Sequence, residues 1–187
     1  MYTFNIKTPS SVDDAKAALE ANEDAQMLAG GQTLIPVLKQ RLAMPGELVS
    51  LAGVDALSGI TPEGDTITVK SMTRHAQVAA NADIKSAIPA LAALAGGIGD
   101  PHVRNMGTIG GSIANNDPAA DYPAAVLGLN ATVVTDRREI AADDFFTGMF
   151  ETALEEGEMI TEVRFPVPER AGYVKFPNPA TRYALVA

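Results

Sequence analysis

The chain has 187 residues, 47% of them apolar, enough to bury one large core or two small ones. Fourteen basic against twenty-three acidic residues leave a net charge of −9, and no basic run exceeds Arg137-Arg138, so a nucleic-acid footprint is missing. With no cysteine and two histidines, a disulfide framework, a thiolate zinc site, a histidine-rich metal site and an iron–sulfur cluster held by this chain are excluded.

Tyr2, Phe4 and Ile6 alternate with polar residues and predict a half-buried strand ended by Pro9. Ser10 or Ser11 then caps a helix reaching about Asn22, with Asp13 and Asp14 in its first turn. Ala25 to Ala29 predicts a short strand leading into Gly30-Gly31, and Thr33 to Leu42 a helix around Pro36. Glu47 to Leu51 predicts another strand. Leu57–Ile60 and Thr66–Lys70 predict a hairpin through Pro62-Glu63-Gly64-Asp65. Thr73 is placed as the cap of a helix carrying Ala76, Val78 and Ala79, and a further helix is expected from about Ile88 to Leu94.

Gly96 to Pro123 has many glycines and polar side chains and no repeating apolar face, which predicts a long ligand-presenting loop. A helix is expected over Ala120–Leu129, and a hairpin of Ala131–Thr135 with Arg138–Ala141. A turn or short helix follows over Asp143–Phe150, then strands at Met159–Phe165 and Gly172–Phe176. The apolar end, Tyr183 to Ala187, is read as a strand cut short or paired with something else. The change of pattern near residues 51–59 divides the chain into a small α/β unit, 1–55, and a larger α+β unit, 56–187.

No apolar run approaches the roughly 20 residues of a membrane span, and Tyr2 to Lys7 has no signal-peptide character, so a cytoplasmic protein is expected. No GxGxxG opens a helix after a strand, and the P-loop, GxSxG and HExxH patterns are missing. Two separate glycine turns remain. Gly30-Gly31 precede Gln32 and Thr33, and Thr108 precedes Ile109-Gly110-Gly111-Ser112. Backbone N–H groups in such turns form anion-binding nests, and two nests suit a ligand with adjacent phosphates.

AGGQTLIPVLKQRL at Ala29–Leu42, followed by VRNMGTIGGSIANNDPAADYPAAVLGLNA at Val103–Ala131, resembles the FAD-binding (medium) subunit of molybdenum hydroxylases. That family includes carbon monoxide dehydrogenase medium subunits and the flavin domain of xanthine dehydrogenases. The resemblance extends to ADDFF at Ala142–Phe146, to Glu158–Pro166 and to YVKFPNPATRYA at Tyr173–Ala184. It implies an α+β fold of two subdomains that hold FAD between them, of the vanillyl-alcohol-oxidase (PCMH) type. The C-terminal domain that usually follows is not represented in this sequence.

The resemblance also implies roles. Leu28, Ala29, Gly30, Gly31, Gln32, Thr33 and Leu34 would bind the pyrophosphate and part of the isoalloxazine side. Thr108, Ile109, Gly110, Gly111 and Ser112 would hold the pyrophosphate and ribityl region, and Asp121 a ribityl or ribose hydroxyl. Ile160 would lie against the cofactor, Lys175 near the ring system and Tyr183 close to the flavin ring. Arg104 and Asn105 are read as pinning the long loop, His102 as a loop residue and His75 as structural. No catalytic side chain and no metal site are assigned. The implied activity is electron relay by a FAD-dependent oxidoreductase subunit. A partner's molybdenum cofactor and [2Fe–2S] clusters deliver electrons to FAD here, which passes them to an acceptor such as NAD or a quinone. A stand-alone flavin reductase of the same fold and a non-enzymatic interaction module are the alternatives.

Overall fold

The computed structural model describes residues 1–187. Its first fifty residues build a three-stranded parallel sheet from β1 (Asn5–Lys7), β2 (Ala25–Leu28) and β3 (Glu47–Ser50), in the order β1-β3-β2. The central β3 has Leu48 and Val49 fully buried, as a parallel strand covered on both faces requires. The edge strand β1 differs from its expected half-burial: all three of its residues are exposed, Ile6 by 57%. Helix α1 (Val12–Glu20) packs over β2 and β3 instead. Its N-cap, Ser11, accepts the Asp14 N–H at 3.0 Å. Helix α2 (Leu34–Lys39) starts directly after the first glycine turn and is shorter than the pattern predicts.

The second unit is a five-stranded antiparallel sheet covered by helices. Strands β4 (Ile60–Glu63) and β5 (Thr66–Lys70) form a hairpin around Gly64-Asp65, with Gly64 at φ +62°. The first arm begins three residues later than predicted, because Asp55–Leu57 is a 3-10 turn that buries Leu57. Five short helices follow: α3 (His75–Ala80), α4 (Ala82–Ala87), α5 (Pro89–Gly96), α6 (Pro101–Met106) and α7 (Ile109–Asn115). Thr73 does not cap α3. Its hydroxyl donates to the Gly59 carbonyl and accepts the Gly59 N–H, while Gln77 Oε1 caps the Arg74 N–H.

The stretch from Gly96 to Pro123 is not one loop. Asp100 caps α6 by accepting the Val103 N–H at 2.9 Å, with Pro101 at the first helical position. Thr108 caps α7 by accepting the Gly111 N–H at 3.2 Å. An apolar face does exist there, at spacing i, i+4: Ile109 and Ile113 are both fully buried. Arg104 Nη1 donates to the carbonyls of Ile98 and Gly99, and Asn105 Nδ2 to that of Pro101, so these two side chains fix the segment.

Helix α8 (Tyr122–Gly128) keeps Pro123 in its first turn. Then come β6 (Thr132–Thr135), β7 (Glu139–Ala141), α9 (Ala142–Phe145) and a small hairpin of β8 (Phe146–Gly148) with β9 (Glu151–Thr152). Strand β10 (Ile160–Pro166) enters between β5 and β6, giving the order β4-β5-β10-β6-β7. Its alternate residues Val163 and Phe165 face the core beside Val69, Ile67 and Val133. The predicted strand over Gly172–Phe176 shrinks to β11 (Phe176–Pro177), because Tyr173 and Lys175 instead reach inward to Asp121. It pairs with β12 (Ala184–Val186), whose Leu185 and Val186 are exposed.

Two observations tie the halves together. A small core joins Ala15, Val49 and Leu51 to Met72 and Met159. Lys16 Nζ lies 2.9 Å from the carboxylate of Asp136, which is only 3% exposed and accepts the Met159 N–H at 2.8 Å.

Candidate functional site

A cleft of about 610 Å³ is lined from both halves, within the size range of small-molecule and cofactor sites. Its geometry is set where the two glycine loops meet. A Cβ on Gly30 would stand 2.2 Å from the Met106 carbonyl oxygen and 2.7 Å from Gly107 Cα. One on Gly107 would stand 2.6 Å from His75 Nε2, and one on Gly111 3.3 Å from Ala29 Cβ. Here glycine permits one backbone to lie on another, a need that its missing side chain meets.

The two loops differ in what they offer a ligand. Gly31 turns the first loop at φ +70°, between β2 and α2. The N–H groups of Gly30, Gly31, Gln32, Thr33 and Leu34 have no acceptor within the chain. Consecutive free donors beside a helix start make an anion cradle, and phosphate oxygens fit it. In the second loop the nest reading needs correcting. Ile109 N–H donates to Thr73 O at 3.1 Å, Gly110 N–H to Ser71 O at 2.8 Å, Gly111 N–H to Thr108 Oγ1, and Ser112 N–H to Thr108 O at 3.0 Å. Two of those donors pin α7 to the Thr73 and Ser71 carbonyls, and two are spent on its first turn. A Cβ on Gly110 would meet Ser71 Cβ at 2.6 Å, so this glycine serves packing. The segment offers the cleft a surface and the Ser112 hydroxyl rather than a row of N–H groups.

Of the residues singled out from the sequence, Ala29, Gly30, Gly31, Gln32, Thr33, Leu34, Thr108, Gly110, Gly111, Ser112, Asp121, Ile160 and Tyr183 border the cleft. Leu28, Ile109 and Lys175 do not. Leu28 lies on β2 and packs beneath Gly31. Ile109 belongs to the large core. Lys175, with its side chain 9% exposed, lies 2.9 Å from Asp121, whose side chain is 5% exposed. Tyr173 also donates its hydroxyl to Asp121. Burial first, and that hydrogen bond second, hold the Tyr173 phenol well above its ordinary range. Asp121 is thus a paired, buried carboxylate at the cleft wall.

Other wall residues are not among the cofactor contacts expected from the sequence. His75 is read from the sequence as purely structural. It does start α3, but it also forms cleft wall beside the meeting point of the loops. Burial, with Arg104 adding a smaller effect, lowers its imidazole to about 4, so it is neutral near pH 7. Its Nδ1 is buried without a partner, and its ring packs 5.2 Å from that of Tyr122. Glu158 on the wall is held at about 2, chiefly by Arg138, with Thr135 and the Glu155 N–H as further partners. Thr181 and Arg182 join Tyr183 on the wall from the turn before β12. Burial, then Asp117 and Asp121, raise the Tyr183 phenol. No helix is long and apolar enough to cross a membrane.

These features define a two-part cleft, with a run of free N–H groups on the smaller half and a packed, acid-lined wall on the larger. Residues 2–168 match the family described as the FAD binding domain in molybdopterin dehydrogenase, and the chain belongs to that family. It is similar to the nicotine 6-hydroxylase medium subunit of Paenarthrobacter nicotinovorans, 37% identical over 183 residues, covering 95% of this chain and 65% of that protein. It is 40% identical over 171 residues to the carbon monoxide dehydrogenase medium chain of Afipia carboxidovorans, covering 89% of this chain and 59% of the other. Among solved structures, carbon monoxide dehydrogenase from Hydrogenophaga pseudoflava lacking the Mo-pyranopterin moiety superposes with a TM-score of 0.93 at 36% identity. That match covers 98% of this chain and 67% of the other. The α+β, two-subdomain FAD-binding fold expected from the sequence is the fold these proteins share. The chain spans roughly two thirds of the length of such relatives.

Proposed function

We propose that this chain is the FAD-binding, electron-transferring part of a molybdenum-containing hydroxylase or dehydrogenase. Residues 1–55 and 56–187 act as the two subdomains of the module. Electrons leave a molybdenum cofactor on a large subunit and cross [2Fe–2S] clusters on a small subunit. They reach FAD here and depart to an external acceptor, NAD or a quinone, in the cytoplasm. The observation that carries the reading is the run of five unpartnered N–H groups at Gly30–Leu34, set against the second glycine loop in the cleft.

The residues fit FAD. The cradle binds the pyrophosphate without any lysine or arginine, using backbone dipoles and the start of α2. Apolar wall from Ile160, Met159 and Leu154 flanks the rest, and Tyr183 offers an aromatic edge. Ser112 and Thr33 supply hydroxyls that pair with ribityl or ribose oxygens. Bound there, FAD supplies a ring that collects electrons singly and releases them in pairs. The chain itself binds, orients and shields that ring, and no side chain acts as acid or base. Titration of the full chain with FAD, followed by visible absorption and by quenching of flavin fluorescence, tests the assignment. The expected result is stoichiometric uptake with a shifted flavin spectrum. A protein that stays colourless with excess FAD would falsify it.

A further inference from the structure

The charges around the cleft are unevenly matched. Its wall holds three carboxylates, Asp117, Asp121 and Glu158, and a single lysine or arginine, Arg182. Asp121 is paired with Lys175 and Glu158 with Arg138. Arg182 makes no ion pair. The guanidinium's one hydrogen bond is Nη1 to the Gly99 carbonyl at 3.4 Å, and the Asp100 carboxylate interacts with it only through space.

The backbone is shaped to hold this residue in place. Arg182 sits at φ +62°, a left-handed conformation that L side chains avoid. Asn178 enforces it. Its Oδ1 accepts the N–H groups of Ala180 and Thr181, its carbonyl accepts the Arg182 N–H at 2.8 Å, and its own N–H donates to Tyr183 O at 2.7 Å. The closed turn places Arg182 and Tyr183 together on the wall.

The guanidinium and the phosphate cradle are separate positive features. Arg182 rests at Gly99, just before α6, while Gly30 packs on Met106–Gly107 at the far end of that helix. The helix between those two points, six residues at 1.5 Å rise, is about 9 Å long. With the cradle and the guanidinium at opposite ends of α6, they face different parts of an elongated ligand in the cleft. Along a flavin dinucleotide, the ribityl chain carries the isoalloxazine about that far. Of the two ends of the dinucleotide, only the isoalloxazine gains negative charge when reduced.

Building on the FAD assignment, we propose that Arg182 is a cofactor-contact residue that faces the isoalloxazine and favours its reduced, negatively charged form, raising the flavin's reduction potential. In a chain of net charge −9, an unpaired cation at the ring is the group that offsets the protein's own field.

The test uses the full chain loaded with FAD, with Arg182→Gln and Arg182→Lys beside the wild type. Midpoint potentials come from spectroscopic titration against reference dyes, and FAD affinity from fluorescence. Arg182→Gln is expected to weaken binding of reduced relative to oxidised FAD about tenfold, lowering the two-electron potential by about 30 mV. Arg182→Lys, which keeps the charge, is expected to retain most of the potential. Raising ionic strength is expected to lower the wild-type potential and to leave that of Arg182→Gln nearly flat. Equal weakening of both redox forms, with potential unchanged, would place the guanidinium on a phosphate and overturn the proposal. Unchanged affinity and potential would overturn it as well. If the wild type takes up no FAD, the assignment of the site itself fails, a separate and prior outcome.

Discussion

Gly30→Ala probes the contact on which the cleft is built. The added methyl would stand 2.2 Å from the Met106 carbonyl oxygen and within 3 Å of two further backbone atoms, whereas ordinary contact begins near 3.4 Å. The obstacles are main chain, so no side chain can swing away, and the two loops must part by more than about 1 Å. Overpacking of this kind costs about 1–3 kcal/mol of stability. The binding cost is separate. Hydrogen bonds to a charged partner contribute about 1.5–3 kcal/mol each, so misaligning one or two N–H groups of the cradle weakens FAD by roughly a hundredfold. Fluorescence titration gives the affinity and urea denaturation the stability. Gly172→Ala is the control, because a Cβ there meets nothing within 4 Å. A Gly30→Ala protein that binds FAD like the wild type would refute both the cradle and the role of the loop contact.

Three further outcomes follow from the same geometry. Gly110→Val drives a side chain into Ser71, whose Cβ and carbonyl oxygen lie 2.6 and 2.8 Å from the added Cβ; the main loss is expected in folding stability, read by thermal denaturation. Asp121→Asn leaves the buried Lys175 ammonium without its anion, and a loss of about 3–5 kcal/mol is expected in urea denaturation. The double variant Asp121→Asn, Lys175→Met should recover part of it, and full additivity would show that the pair is not coupled. His75 binds a proton less readily in the folded state, at about 4 against 6.5 unfolded. Between those values the unfolded chain holds more protons, so stability is complete above about pH 6.5 and declines as pH falls toward 4. Removal of the imidazole in His75→Asn is expected to flatten that part of the pH–stability curve.

Much of the fold was legible where local chemistry and tertiary demand agree. The Ser11 cap, the parallel-strand run at Leu48-Val49 and the alternation in β10 all read directly. The stretch Gly96–Pro123 did not, because glycine content hid two helices whose marks are the caps Asp100 and Thr108 and the Ile109, Ile113 pair. At the site, the two glycine loops stood out as motifs, but their division of labour did not. Free N–H groups and bonded ones have the same letters in a sequence. Only the carbonyls of Ser71 and Thr73, brought in from the turn after β5, reveal that two donors of the second loop are taken from outside it. Arg182 was equally silent, since its isolation follows from which neighbours Asp121 and Glu158 have chosen.

The backbone contact between Gly30 and Gly107 also bears on how the protein matures. Each loop folds with its own neighbours, but the cradle faces a wall only after two regions far apart in sequence have docked. Contacts of such long range form late, after the entropy of closing the intervening chain has been met. A ligand that binds only the docked state stabilises that state by mass action. A ligand that touches both loops therefore acts as a clasp on assembly, and added FAD is expected to slow limited proteolysis at the seam between them.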